Sequence, residues 1–314
     1  MSMKYKPMLA KIGTQKLLDD KELIFEPKLD GYRALCQYTG KSYRLYSRRG
    51  IDITDQFPEL NVGDRIHAKN CILDGEIIAY NKKGFPDFRL IEGRNELSNQ
   101  NQINEKVKKH PATYAVFDIL AKDGKSLMKK PFIERRNILG KTISPSKRVE
   151  LLRSTHDGKK LFAYAKKHKL EGVMAKDPQG MYSPGKRTKA WQKVKLMKSV
   201  ECVIIGYTQE KKLISSLALG LYDKSKKLIY VGRVGTGFSE TKIKELYPLL
   251  DKNRATKSAT ANEPKIKGLI FVKPKLVGEF RYLEMTPTGS LRHASYLHYR
   301  DDKKPKECTF DQIT

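Results

Sequence analysis

Leu23-Ile24-Phe25-Glu26-Pro27-Lys28-Leu29-Asp30-Gly31-Tyr32-Arg33-Ala34-Leu35-Cys36 is the stretch on which the reading of this chain turns. Two apolar runs flank Asp-Gly, a common hairpin signal, so residues 23–36 are expected to fold as strand, turn, strand. A lysine closes the first run. Strand alternation places Glu26 and Lys28 on one face. A lysine attacks an electrophile only as the neutral amine. Its reference pKa is about 10.4, so burial or neighbouring cations must lower it for that role. A lysine at a hairpin end is otherwise simply solvated, and Lys-x-Asp-Gly is short enough to recur by chance.

Three further segments carry charge at strand spacing. Leu73-Asp74-Gly75-Glu76-Ile77-Ile78 puts Asp74 and Glu76 on one face of an apolar strand. A carboxylate held there needs a partner, whether a metal ion, a ribose hydroxyl or a structural salt bridge. Glu171-Gly172-Val173-Met174-Ala175-Lys176 begins with a carboxylate and ends with a cation. Trp191-Gln192-Lys193-Val194-Lys195 points Lys193 and Lys195 to one side, as a two-point phosphate clamp or as two solvated groups on an edge strand.

Around these segments the composition is that of a folded protein, 39 % hydrophobic over 314 residues, enough for one large domain or two modest ones. No apolar run reaches the roughly 20 residues of a membrane span, and no signal-peptide pattern follows Met1, so the expected setting is cytoplasmic, on the nucleoid if bacterial. Cys36, Cys71, Cys202 and Cys308 lack metal-site spacing and read as buried, reduced thiols. Lys and Arg number 63 against 35 Asp and Glu, a formal net charge of +28. That excess exceeds what solubility needs and points to a polyanionic partner. Basic pairs recur throughout, among them Lys108-Lys109, Arg135-Arg136, Lys166-Lys167 and Lys303-Lys304, which suits a surface laid against a phosphate backbone.

Strands are also expected at 43–47, 71–80, 114–120, 171–176 and 190–196, with helices near 130–140 and 158–169. After Lys198 come short strands at 200–207, 217–222, 228–234, 269–272 and 277–285, a helix over 239–250 and a polar loop over 251–267. Five strands in so short a stretch suggest a small β-barrel of the OB type. The domain boundary is expected at 196–199.

Read in order, Lys28-Leu29-Asp30-Gly31-Tyr32-Arg33, Ser47-Arg48-Arg49-Gly50, Leu73-Asp74-Gly75-Glu76, Tyr114-Ala115-Val116-Phe117-Asp118, Glu171 to Lys176 and Trp191 to Lys195 resemble the motif series of the covalent nucleotidyltransferases. Within that superfamily the series is similar to the ATP-dependent DNA ligases, above all the small bacterial and phage enzymes and the ligase domain of bacterial end-joining ligases. Tyr230-Val231-Gly232-Arg233-Val234-Gly235-Thr236-Gly237-Phe238 and Arg300-Asp301-Asp302-Lys303 resemble that group's OB-domain signatures, with Asp301 where the group usually has Glu.

The resemblance implies an α+β protein: a nucleotidyltransferase domain of antiparallel sheets with flanking helices over 1–198, then an OB-fold β-barrel over 199–314. It implies ATP and Mg²⁺ (or Mn²⁺) as cofactors and nicked duplex DNA as substrate for a monomer, with or without repair or replication partners. Lys28 is then the nucleophile that takes AMP, passes it to the nick 5′-phosphate and lets the 3′-hydroxyl displace it. Glu26 helps recognise adenine and Phe117 stacks on it. Arg33 and Arg48 contact the nucleotide, and Arg48 also the nick 5′-phosphate. Glu76 binds ribose or metal, and Glu171 metal. Lys193 and Lys195 hold the α-phosphate, Arg300 and Lys303 serve the departing pyrophosphate, and Asp30 shapes its turn and helps position the nick. RNA ligases and mRNA capping guanylyltransferases share Lys-x-Asp-Gly and are the nearest alternative. Little chain precedes Lys28, so the two domains are expected to hold DNA themselves or through a partner. A non-enzymatic OB-fold DNA-binding protein explains the charge but leaves the ordered motifs without a cause.

Overall fold

The computed structural model describes residues 5–168, 170–196, 198–210 and 213–313. Its contacts divide the chain into two units, Met1–Leu196 and Met197–Thr314. In the first, the strands are β1 (Leu9–Ile12), β2 (Ile24–Pro27), β3 (Tyr32–Tyr38), β4 (Tyr43–Ser47), β5 (Cys71–Ala79), β6 (Ala112–Lys122), β7 (Lys125–Ser126), β8 (Val149–Leu151), β9 (Gly172–Lys176) and β10 (Arg187–Lys195). Its helices are α1 (Gln100–Lys109), α2 (Phe132–Gly140) and α3 (Gly158–Lys167). The smaller sheet has the order β1-β10-β9-β2, and the larger β4-β3-β5-β6-β7 with β8 beside β6.

The hairpin expected over residues 23–36 does not form. Strand β2 pairs with β9, whereas β3 pairs with β4 and β5, so the chain leaves one sheet at Pro27 and enters the other at Tyr32. Asp-Gly hairpin turns of the common two-residue type need left-handed backbone, and Gly31 is not among the residues with positive φ. Its lack of a side chain serves close approach instead: a Cβ at Gly31 would lie 2.3 Å from the Ile77 carbonyl oxygen and 2.8 Å from Ile78 Cγ2. Gly31→Ala is therefore expected to lower stability by about 1–3 kcal/mol, the usual cost of overpacking. Thermal unfolding checks this, and an unchanged Tm would show that the crossover has slack.

The larger sheet packs one face around Tyr32, Ala34, Cys36, Leu73, Ile77 and Tyr114. Its other face carries Leu35, Phe117 and Leu120, which join Met8, Tyr182 and Trp191 in a second core. Phe117 and Leu120 reach that face through bulges in β6. Asp74 pairs with Asp118 and Gly75 with Val116, which leaves Phe117 as the extra residue; Leu120 is skipped in the same way. The smaller sheet buries Phe25, Val173, Ala175 and Val194 with Ala165 of α3. Helix α3 starts where Asp157 accepts from the Lys160 N–H, and it ends in Lys166-Lys167, which suits the helix dipole. Helix α1 escaped sequence reading because it has almost no apolar stripe; Ile103 is its one buried residue.

The second unit comprises β11 (Ser199–Glu210), β12 (Leu213–Tyr222), β13 (Leu228–Val234), α4 (Glu240–Lys252), β14 (Ile270–Arg281), β15 (Glu284–Met285), β16 (Leu291–Arg292) and β17 (Ser295–Tyr299). Strands β13-β12-β11-β14-β17 form a curled antiparallel sheet of the OB type around its own core. The two strands expected at 269–272 and 277–285 are one strand to Arg281. Phe271 pairs with Gly206 and Leu276 with Ile204, so Pro274 falls in a bulge, where its missing N–H does no harm. Strand β17 was not anticipated. Among the described residues no helix is long and apolar enough to cross a membrane, and all four cysteines are buried and free.

Candidate active site

Strand register assembles a polar face on the smaller sheet. Glu26 lies opposite Met174 and Met174 opposite Lys193; Lys176 lies opposite Trp191, and Lys195 opposite Gly172. Alternation then sends Glu26, Lys176, Lys193 and Lys195 to the side away from Phe25, Val173 and Val194. Lys28 follows directly, its N–H donating to the Gly172 carbonyl at 3.0 Å. Strand β10 lies between β1 and β9, so Lys193 and Lys195 do not stand on a solvated edge. From the larger sheet, Arg33 and Glu76 are direct cross-strand partners on the face that carries Leu35 and Asp74.

At the open end, Lys28 Nζ donates to Glu171 Oε2 in a short contact, and Lys195 Nζ lies 3.3 Å from Glu171 Oε1. Lys28 and Glu171 retain 20 % and 19 % side-chain exposure, so a substrate can reach them. Deeper in, Arg33 donates to both Asp74 oxygens, at 2.5 and 2.6 Å, and Tyr182 donates to Asp74 Oδ2 at 2.6 Å. Burial opposes the charge on Arg33, but Asp74 outweighs it and holds the guanidinium pKa above its ordinary value.

Phe117 is nearly buried. Its ring centroid is 4.7 Å from the Arg33 guanidinium carbon and 4.4 Å from Lys176 Nζ, and Trp191 meets it edge-on at 5.9 Å. A base that stacks on Phe117 must displace one of these neighbours. Lys176 is boxed by Phe117, Phe132 and Trp191, and its ammonium lies 2.6 Å from Glu26 Oε2, close but outside hydrogen-bond alignment. Burial pushes the Lys176 pKa down although Glu26 and Asp118 pull it up. Arg136 takes the other Glu26 oxygen at 2.7 Å and donates to the Leu152 carbonyl at 2.7 Å.

The structure thus brings Glu26, Lys28, Arg33, Glu76, Phe117, Glu171, Lys193 and Lys195 to the facing sides of two sheets. Asp30 lies half-buried in the crossover, and Arg48 half-buried in the turn after edge strand β4. Arg300 and Lys303 belong to the second unit, where they are tied to carboxylates. Sequence reading singled out Asp74 and Lys176 but did not pair them with Arg33 and Glu26, and it missed Arg136 on Glu26 and Tyr182 on Asp74. It also treated Arg135-Arg136 as outward-facing. Arg135 is fully buried, with Nε and Nη2 each 2.8 Å from an Asp118 oxygen, and Arg136 grips Glu26. The one available signal was that Arg135-Arg136 follows the apolar Phe132-Ile133, on a helix that must bury one side.

Among the described residues no three His, Cys, Asp or Glu side chains cluster as a self-sufficient metal site. Magnesium characteristically binds one or two carboxylates and completes its shell with phosphates and water. The partly exposed Glu171 carboxylate beside Lys28 fits that pattern.

Comparison with known proteins agrees with this geometry. The model of the ATP dependent DNA ligase domain matches residues 7–195, and that of the ATP dependent DNA ligase C terminal region matches 210–303. The chain is 32 % identical to DNA ligase C1 of Mycolicibacterium smegmatis, over 98 % of this chain and 93 % of that one. It is 32 % identical to the multifunctional non-homologous end joining protein LigD of the same organism, over 98 % of this chain but only 40 % of LigD, so it spans well under half of that relative. A solved mycobacterial DNA ligase D complexed with ATP and MES superposes with a TM-score of 0.64 at 32 % identity, covering 97 % of both chains. By these matches and by its motif order, the chain belongs to the ATP-dependent DNA ligases.

Proposed function

We propose that this ligase seals nicks in duplex DNA through a lysyl-AMP intermediate at Lys28. The supporting observation is the placement of Lys28: about one-fifth exposed, hydrogen-bonded to Glu171, and at the mouth of a face lined by Lys193 and Lys195. Attack by Lys28 Nζ on the ATP α-phosphorus forms a P–N bond and expels pyrophosphate. The nick 5′-phosphate then takes AMP from the lysine, and the 3′-hydroxyl closes the strand as AMP leaves. Lys193 and Lys195 stabilise charge that grows on the α-phosphate oxygens. Arg33 and Arg48 contact the nucleotide, Arg48 also the nick 5′-phosphate, Glu76 the ribose or metal, and Phe117 and Glu26 the adenine. Asp30 helps position the nick. Glu171 would hold Mg²⁺ or Mn²⁺, which supplies Lewis-acid stabilisation of the phosphates. Incubating the protein with labelled ATP and a nicked duplex tests the reading: label on protein and sealed strand should both appear, and GTP should not replace ATP.

Glu171→Gln and Glu76→Gln are each expected to depress sealing and to shift the metal titration. Wild-type rates with an unchanged Mg²⁺ or Mn²⁺ curve would assign both to structural ion pairs. Because the net charge is +28, DNA affinity should fall steeply with salt, each phosphate contact adding roughly 0.9 to the log–log slope. A flat response between low and physiological ionic strength would contradict a phosphate-dominated footprint. Arg300 and Lys303 are assigned to the departing pyrophosphate, so Lys303→Ala should slow self-adenylation more than it slows sealing of a pre-adenylated nick. Equal losses in the two half-reactions would instead make the segment a DNA contact.

A further inference from the structure

In the second unit, two carboxylates are set directly against each other. Glu201 on β11 is the cross-strand partner of Glu279 on β14, and Glu279 in turn is paired with His298 on β17. Like charges directly opposite on neighbouring strands repel, so this row needs a cation. Arg300 and Lys303 supply it. Arg300 Nη1 donates to Glu279 Oε2 at 3.0 Å and lies 3.7 Å from Glu201 Oε1, while Lys303 Nζ is 3.0 Å from that same Glu201 oxygen. Ser199 Oγ donates to Glu279 Oε1, and His298 Nε2 lies 3.3 Å from Glu279 Oε2.

Not all the bonds of this cluster are equivalent. Arg300 also grips Asp302 through Nε and Nη2, at 2.7 Å each, but that pair lies within one short segment and can move as a unit. The bonds to Glu201 and Glu279 reach other strands, so they must break before either cation can turn to a phosphate. Carboxylate and phosphate oxygens are the same kind of acceptor for guanidinium and ammonium groups.

We infer that Glu201 and Glu279 are positioning residues for the adenylation step: they hold Arg300 and Lys303 as a stand-in for phosphate, and the triphosphate of ATP must win the two cations from them. This rests on the assignment of Arg300 and Lys303 to the pyrophosphate. The carboxylate pair therefore sets the ATP concentration at which self-adenylation half-saturates, and its bared repulsion draws the cations back once pyrophosphate has gone.

The test measures self-adenylation of the full chain against ATP concentration, with sealing of a pre-adenylated nick and Tm as references. Glu201→Gln keeps the shape and removes the charge that holds Lys303. It is expected to lower the half-saturating ATP concentration by about tenfold, equivalent to about 1.4 kcal/mol, with kcat changed far less. Glu201→Asp restores the charge and should return the value toward wild type. A half-saturation that is unchanged or raised in Glu201→Gln, or a fall in Tm with both half-reactions weakened together, overturns the inference and leaves the cluster a structural one. Lys303→Ala separates this failure from failure of the underlying assignment. If it raises half-saturating ATP while Glu201→Gln does nothing, only the holding role is wrong. If it leaves self-adenylation at the wild-type level, the pyrophosphate assignment and the holding role fall together.

Discussion

Replacing Lys28 with alanine is expected to abolish covalent AMP labelling while leaving the fold intact. The chemical part is simple: without the amine no P–N bond can form. Lys28→Arg should fail equally, because a guanidinium stays protonated and is a poor nucleophile. The structural part makes the experiment clean. Lys28 and Glu171 are each about one-fifth exposed, and Glu171 keeps Lys195 when Lys28 is removed. Partly solvated pairs contribute little to stability, so Tm should barely move. Sealing of a nick that already carries AMP should persist, since that step no longer needs the lysine as carrier. Label on either variant at the wild-type level would remove Lys28 from the mechanism.

The contrast between what the residues announced and what they concealed follows from the range of the forces involved. The shared faces of Asp74 with Glu76 and of Lys193 with Lys195 were legible because period-2 alternation is local and fixes which side of a strand a charge takes; Lys28 was singled out only by the order of the motifs. The curled OB-type sheet of the second unit was legible as closely spaced apolar runs. Pairing across the sequence was not. Asp30-Gly31 carries a hairpin signal, yet tertiary packing against Ile77 and Ile78 overrides it and sends the flanking strands to different sheets. Phe117 reaches the cleft only through a bulge, which no alternation pattern foretells. The charge of Arg135 looked like surface, and Lys176 had no named partner, because Asp118 and Glu26 are distant from them in sequence.

The second large effect concerns that hidden pair. Arg135 and Asp118 are both fully buried, and Arg135 Nη1 also donates to the Lys130 and Gly180 carbonyls at 2.6 and 3.0 Å. Burial raises the Asp118 pKa even though Arg135 lowers it, so the carboxylate depends on its partner to stay charged. Arg135→Met leaves that carboxylate without its guanidinium. The expected loss is about 3–5 kcal/mol, or roughly 10 °C in Tm for a domain of this size. Adding Asp118→Leu in the same chain should recover much of the loss, because an apolar pair replaces a broken ionic one. Recovery should stay incomplete, since two carbonyls have lost a donor. A single variant as stable as wild type would show that water or another cation reaches Asp118. The single variant should also weaken adenylation, because Arg136 is the next residue on α2 and grips Glu26.

The crossover from Pro27 to Tyr32 has one more implication. The residue proposed to carry AMP sits on the short length of chain that stitches one sheet to the other, and that stitch has no slack at Gly31. A nucleotide bonded there is fastened to the seam itself. Its base and phosphate would bridge the same two layers that the backbone already joins, so modification would act as a second suture across the domain. Hydrogen exchange should register it as slower opening of β2 and β3 together, two strands that share no hydrogen bonds with each other.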